Sequence, residues 1–553
     1  MEYPSLLAPP CFQSHSRANW TGERGYSLSR ADLRRATPSD SGIYRIAEAP
    51  RSTSHGEKES HGRSIEPALG NAMKNGTSVR VSGALLFFIF IALVTSCLRT
   101  TWSRAFSSHK KADNADMASD AQAPLCGQPS DGKVHLPPDW TSFVPPAKGQ
   151  SYVDPVFGCP VKRLTDSGKE ETLPDGKHPS FMHYYSTLSP MNASDTMLMI
   201  SSDTGAWRVK DTNGNFVVAA DKMPAMNNGH PVWDASDGSV FYYALGKALH
   251  EGRIKGNSIK NRSLYTFKEY QGIGSPDAAD LSQDGDHIAL VGQKSNGTLD
   301  VFVWSLSKQV KTSVYTTICK VNEWDVTQTP QPACIHKLVL TPNNLLVIAF
   351  AKDGTDSEQG HRLWDGSKLT HLQDFTNHLD TGYDLKGNPV FIEVGRTSTL
   401  AGLSNPCPSG WGLDVRQLNG VSSASCLLDK LPGWHVSYRG GPSQPWAAIS
   451  FFDKRNPGPE LFRSSRGFQE PSPDNWELYE DEILLARIDG GAIYRLAHAR
   501  SRSAENYGAE PHAAISRDGK YVIFSSNMAY PNGCPGSMHV ANECTDVYLI
   551  KMH

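Results

Sequence analysis

A short phrase recurs seven times between Met182 and Lys520: MHYYSTLSP, GHPVWDASDG, SPDAADLSQDG, IHKLVLTPNN, NHLDTGYDLKG, WHVSYRGG and PHAAISRDGK. Six copies open on a histidine, namely His183, His230, His336, His378, His435 and His512, and the third carries Asp277 in that place. Most then reach a polar turn rich in Asp and Gly, followed by a second apolar run such as HIALVGQ or KYVIFSSN. A repeat of this kind is one supersecondary unit, which cannot bury its apolar faces alone and must stack on its neighbours.

The unit reads as strands. Apolar residues alternate or come in short β-branched runs and seldom recur at helical spacing. DAADLS, the turn QDG, DHIALVGQ, LDVFVWSL and VKTSVYTT give four strands in one copy, with Gly285 free to adopt the positive φ of a tight turn. The last copy repeats the plan as PHAAIS, RDG, KYVIFSSN and DVYLIKM but stops before a fourth strand. Four-stranded repeats remove their open edges by closing into a ring. The fold class expected is therefore all-β, a single β-propeller of seven four-stranded blades over residues 151–553. The segment 154–166, DPVFGCPVKRLTD, has strand character and is expected to complete the last blade and fasten the ring.

Upstream of the propeller the 553-residue chain changes character. Residues 1–80 are rich in Arg, Ser, Gly and Glu without hydrophobic periodicity, which predicts a disordered tail. Residues 81–98, VSGALLFFIFIALVTSCL, carry no charge and are the one run approaching the length of a bilayer-spanning helix. If translation starts at Met1 the run is a signal anchor. If it starts at Met73, MKNGTSVR and the apolar run form a secretory signal peptide, and Val94-Thr95-Ser96-Cys97 resembles a lipobox that would place a lipid on Cys97. The membrane is thus an expected partner through the apolar helix or a lipid on Cys97, and the propeller is expected to be membrane-anchored or secreted on the extracytoplasmic side. Residues 99–150, polar and proline-containing, are expected to be a linker.

Eight cysteines follow the apolar run, an even number falling into close sequence pairs, which favours disulfides in an oxidising compartment. Sequons at Asn192, Asn261 and Asn296 suit extracytoplasmic loops. The net charge of −3 singles out no partner, and no nucleic-acid partner is expected. DTNGN, Asp211 to Asn215, lacks the closing glutamate of a calcium loop and reads as a hairpin turn. No GxSxG elbow or hydrolase domain follows the repeats, which disfavours a serine peptidase. Trp207, Trp233, Trp411, Trp434 and Trp446 would stack on sugar rings if exposed, and would otherwise be core residues.

In a closed ring the heads of the inner strands converge on the central channel, so the histidines and Asp277 are expected to line it. Neutral imidazole serves either as a metal ligand or as a base titrating near neutrality. A repeated structural use, each ring bridging adjacent blades by hydrogen bonds, would also place a histidine at every strand head. A metal held by imidazoles should be lost below about pH 6, where the rings protonate.

The phrases LSQDGDHIALVG and ISRDGKYVIFSSN resemble the WD40-like repeats of TolB-type propellers. Histidines heading the inner strands are similar to the arrangement in oligogalacturonate lyases, seven-bladed enzymes with a divalent metal, usually manganese, near the channel. That resemblance implies His435 and His512 as metal ligands and His378 as the base that takes the proton beside a substrate carboxylate. The chain departs from the lyases before the last blade, where NYGAEPHAAIS has neither their glutamine nor a second histidine. Glu510 is the oxygen ligand available instead, and Arg439, four residues after His435, is placed to pair with a substrate carboxylate. Two functions follow as expectations: a metal-assisted lyase on uronate-containing oligosaccharides, or a non-catalytic propeller that binds a glycan or a protein partner.

Overall fold

A computed structural model describes residues 124, 126–226, 229–275, 280–320, 334–396, 406–418, 424–430, 435–451, 472–474, 476–502, 507–541 and 543–552. The tail, the apolar run Val81–Leu98, Cys97, Asp277 and Trp434 lie outside them. Among the described residues no helix is long and apolar enough to cross a membrane.

Seven antiparallel sheets succeed one another along the chain. Blade 1 comprises Phe181–Met182, Met197–Ser202, Trp207–Asp211 and Phe216–Val218, and blade 2 comprises Val232–Trp233, Val240–Leu245, Ala248–Lys255 and Ser258–Thr266. Blade 3 is built from Gly272–Gly274, His287–Gln293, Thr298–Ser305 and Val310–Lys320, and blade 4 from Ile335–Leu340, Leu346–Phe350, His361–Trp364 and Leu369–Gln373. Blade 5 contains His378–Tyr383, Pro389–Arg396, Trp411–Gln417 and Ala424–Asp429. Blade 6 contains His435–Ser437, Trp446–Ser450, Glu482–Arg487 and Ile493–His498. Blade 7 takes Ala514–Ile515, Tyr521–Ser526 and Asp546–Lys551 from the end of the chain. Its fourth strand is Pro160–Arg163, with Val161 opposite Ile550 and Arg163 opposite Tyr548. Joining the two ends in one sheet closes the ring as the sequence predicts, and leaves no blade edge at the seam unpaired.

The repeated turn has a local cause. In blade 3 the Ser282 hydroxyl donates to Asp284 at 2.5 Å while accepting the His287 N–H at 2.9 Å. Ser516, Asp518 and Tyr521 repeat the cage in blade 7 at 2.9 and 3.0 Å. Gly285 and Gly519 follow at φ +73° and +76°, a conformation that costs a side-chain-bearing residue. The turn therefore sets the register between first and second strands. Second strands such as Leu346–Phe350 are buried on both faces, because a neighbouring blade covers each side. DTNGN forms a hairpin turn, as expected, with Asp211 accepting the backbone N–H groups of Asn213 and Asn215.

The N-terminal approach corrects one expectation. Residues 126–150 are not a free linker but a strap on blades 6 and 7. Gln128–Pro129 adds a fifth strand to blade 6, Ser151–Val153 adds one to blade 7, and Cys126 is bonded to Cys159. Arg495 donates to the Lys133 carbonyl at 2.7 Å, His498 to that of His135 at 3.1 Å, Arg500 to that of Pro138 at 2.6 Å, and Arg502 to that of Trp140. Four side chains in one row thus satisfy an irregular backbone, which composition alone reads as unstructured.

The eight cysteines form four disulfides between sequence neighbours: Cys126–Cys159, Cys319–Cys334, Cys407–Cys426 and Cys534–Cys544. That full pairing marks a protein of an oxidising, extracellular or secretory compartment. Of the sequons, Asn192 is buried, its amide donating to Gly238 at 2.7 Å, so it is not a surface acceptor. Asn261 and Asn296 are exposed.

Candidate functional site at the strand heads

Blade 6 delivers His435 and blade 7 delivers His512. Their inner strands are aligned by two bonds across the blade boundary: the Ala513 N–H donates to Ser450 Oγ at 3.0 Å and the Ile515 N–H to Ser437 Oγ at 3.1 Å. The two imidazoles meet at 4.0 Å between ring centres. Glu510 follows the 3-10 turn Tyr507–Ala509 and brings its carboxylate to 3.8 Å from His435 Nε2 and 3.7 Å from His512 Nε2. One ligand atom from each of the three residues lies within 4.8 Å of the others. The only other such group among the described residues, Cys407, Cys426 and Asp429, contains a disulfide, so its sulfurs are not ligands.

The tautomers suit a cation. His512 Nδ1 lies 2.7 Å from the Glu510 carbonyl, which can only accept, so Nδ1 carries the proton and Nε2 presents a lone pair toward the carboxylate. His512 stands at φ +48°, a conformation uncommon outside glycine and held here by its neighbours. Neither ring nitrogen of His435 has a hydrogen-bond partner among the described residues, and the ring is fully buried. Burial, then the facing His512 and His378 and the Lys337 ammonium, hold His435 well below the usual imidazole range. Burial pushes the Glu510 carboxyl up to about 8, although its side chain keeps 19% of its surface open.

His378 of blade 5 joins the cluster, its ring 4.6 Å from that of His435, with Nδ1 2.8 Å from the Tyr185 hydroxyl. Burial and the nearby Lys337, His336 and His512 keep it well below its ordinary value, hence neutral. His336 is half-buried beside it. Two groups here escaped the sequence reading. Tyr185 lies within 5.4 Å of both His435 and His512, and Lys337 is buried with its ammonium 4.3 Å over the Tyr185 ring. The signals were a second tyrosine after His183 and a lysine beside His336 in the otherwise apolar IHKLVL.

Other predicted residues take different places. His183 has the blade-bridging role: Nε2–H donates to the His512 carbonyl at 2.6 Å and Nδ1 accepts from Ser525 at 3.1 Å. Burial takes it down to about 4. His230 is buried against Tyr184, with ring centres 5.5 Å apart. Arg439 overturns its expectation. Its guanidinium is buried and lies 3.2 Å from Asp280 and 3.6 Å from Asp380, so it is already matched by two carboxylates. Arg517 completes the set at 2.7 Å from Asp280. These groups, further along the inner strands than the histidines, surround a cavity of about 20 Å³, space for roughly one water. Of the tryptophans, Trp207, Trp233 and Trp446 are core residues and Trp411 is half-buried.

The fold and this site define a seven-bladed, WD40-like β-propeller with a histidine cluster at the heads of its inner strands. No family model matches the sequence, and no curated protein matches it. Among solved structures, the oligogalacturonate lyase of Vibrio parahaemolyticus is similar with a TM-score of 0.43 and 10% identity, over 73% of this chain and 96% of that one. The Pan2 WD40 domain of Neurospora crassa matches at 0.37 and 10%, over 71% and 95%. The RRP9 WD40 repeats match at 0.36 and 10%, over 71% and 97%. At such identities the likeness concerns the fold alone.

Proposed function

We propose that the protein is an exported propeller that binds a divalent, manganese-like cation through His435, His512 and Glu510, and that it acts as a metal-assisted lyase on uronate-containing oligosaccharides. The observation that carries this reading is the convergence of two buried imidazoles and a partly open carboxylate within 4.8 Å. The donor set fits: two nitrogens and one oxygen from the protein leave positions for a ligand, the pattern of catalytic metal sites. His435 supports the fit, since an imidazole with two unsatisfied nitrogens is costly to bury without a purpose.

When bound, the cation would neutralise a substrate carboxylate and so acidify the adjacent C–H. His378, neutral and anchored through Nδ1 to Tyr185, has the protonation state of a general base and takes that proton. The glycosidic C–O bond then breaks, its electron pair leaving with the departing sugar oxygen as the double bond forms. Tyr185 fixes the His378 ring, and the half-buried imidazole stays reachable by a substrate. Export is supported by the four disulfides, with Val81–Leu98 or a lipid on Cys97 as the tether to the membrane.

The test is metal content and product. Protein purified without chelator should carry or take up manganese, His435→Ala and His512→Ala should lose it, and oligogalacturonides should yield an unsaturated product. Unchanged metal content in both variants would sink the site. Metal without product would favour a glycan-binding propeller.

A further inference from the structure

Three sequons stand outside the site, and the fold treats them differently. Asn192 is closed to modification. Its buried amide donates to the Ser194 hydroxyl at 3.0 Å, the Thr196 hydroxyl at 3.2 Å and the Gly238 carbonyl at 2.7 Å. Its oxygen accepts the Thr196 and Met197 N–H groups at 2.8 and 3.0 Å. Asn261 is exposed in the outer strand Ser258–Thr266 of blade 2, opposite Gly252. An extended strand spaces Asn261 and the sequon's Ser263 roughly 7 Å apart along the chain.

Asn296 differs from both. It is exposed at the tip of the hairpin between the second and third strands of blade 3, where the Lys294 N–H donates to the Thr298 carbonyl at 2.8 Å and the Gly297 N–H to that of Lys294 at 3.0 Å. Gly297 supplies the left-handed step of this turn at φ +82°. The Asn296 oxygen accepts the Thr298 hydroxyl at 2.7 Å and the Thr298 N–H at 3.1 Å. The two sequon side chains are thereby clamped together through the carboxamide oxygen, with Nδ2 outside the clamp. The tip also lies at the rim that carries the histidines. Gly272, at the head of the inner strand of blade 3, pairs with Gln293 just before the turn, as His378 and His435 pair with Val394 and Ser450 near the ends of their second strands.

We infer that Asn296, rather than Asn192 or Asn261, is the acceptor of an N-linked glycan on the rim that carries the histidine cluster. The inference rests on the export reading and goes beyond it. The donor is a lipid-linked oligosaccharyl diphosphate. Nδ2 bonds to the anomeric carbon of its first sugar, the bond from that carbon to the diphosphate oxygen breaks with the electron pair leaving on the diphosphate, and one Nδ2 proton passes to a base. A hydrated group of this bulk is accommodated at an outward turn and not within a packed blade.

The test expresses the full-length chain in a eukaryotic secretory host and reads occupancy by peptide mass, before and after an N-glycosidase that converts the carrying asparagine to aspartate. Wild type should carry the glycan at Asn296, and Asn296→Gln should lose the matching mobility shift. Asn296→Asp keeps the oxygen that clamps Thr298 but has no Nδ2. It should lose the glycan and melt as the enzymatically deglycosylated wild type does, which separates loss of the acceptor from misfolding. Thr298→Ser should retain the glycan and Thr298→Val should lose it. Secreted, disulfide-bonded protein that is bare at Asn296, or that carries its glycan on Asn192 or Asn261 instead, overturns the inference alone. Protein kept in the cytosol with reduced cysteines overturns the export reading and the inference with it.

Discussion

Arg439 of blade 6 lies 3.2 Å from Asp280 of blade 3, a pairing between non-adjacent blades that spans the centre of the ring. Asp280 is in turn 2.7 Å from Arg517 of blade 7, and Arg439 reaches Asp380 of blade 5 at 3.6 Å. Burial pushes the Asp380 carboxyl up to about 6 even with Arg439 opposing it. The strand heads carry the site, and this network ties the same strands together further along.

Arg439→Met should destabilise the fold by roughly 3–5 kcal/mol, because it leaves the buried Asp380 without its cation and Asp280 with Arg517 alone. The double variant with Asp380→Asn should recover part of that loss, since one uncompensated charge is gone. Thermal unfolding of the three proteins measures both. An Arg439→Met variant as stable as wild type would show that the network does not stabilise the ring.

His183→Ala should act on metal binding without touching the metal. The His183 ring holds the His512 carbonyl at 2.6 Å, so its loss strands a buried acceptor and loosens the backbone that aims His512. A stability cost of about 1–3 kcal/mol is expected, with manganese affinity lowered about tenfold or more. His336→Ala is the control and should leave affinity near wild type. Equal effects of the two variants would contradict this division of roles.

Replacing both Cys126 and Cys159 by serine should free the strap while the seven blades remain closed, because the ring's seam lies in Pro160–Arg163 and Asp546–Lys551. The loss is about 2–4 kcal/mol for a loop of this size. Limited proteolysis should then cut between residues 126 and 150. A nicking pattern unchanged from wild type would show that the row of arginines suffices.

Glu543 makes the stability depend on pH. Burial and the neighbouring Asp203 push its carboxyl up to about 7 from an ordinary 4.5. The folded state thus prefers the protonated form, so the stabilisation is fully present below pH 4.5 and is lost as pH rises through 7. Since the side chain is partly open, the swing is about 1–2 kcal/mol. Glu543→Gln should melt above wild type at pH 8 and level with it near pH 4.5. A gap of the same size at both values would show that Glu543 is not the source.

Much of this architecture is local and therefore legible in the chain. The Ser–x–Asp–Gly turns around Gly285 and Gly519 are closed by hydrogen bonds among residues within five of one another, and alternation in runs such as HIALVGQ needs no partner to identify a strand. The fastening of the ring by Pro160–Arg163 followed from counting, since the last copy lacked a strand and an unused one stood before the first. The even number of cysteines made disulfides expected, but which cysteine bonds to which was decided by the fold.

What tertiary structure alone decided is which inner-strand residue faces which. Equivalent strand heads give six histidines the same local signature, yet only His378, His435 and His512 meet around Tyr185, while His183 bridges blades and His230 packs on Tyr184. Nothing within a strand distinguishes them. Arg439 looks available to a substrate carboxylate in WHVSYRGG because its two aspartates lie 159 and 59 residues away in sequence, as the difference of their numbers gives. The strap escaped for a similar reason: its backbone is satisfied by Arg495, His498, Arg500 and Arg502, more than three hundred and fifty residues later. Contacts set by ring closure depend on the angle between blades, a quantity carried by no short stretch of sequence.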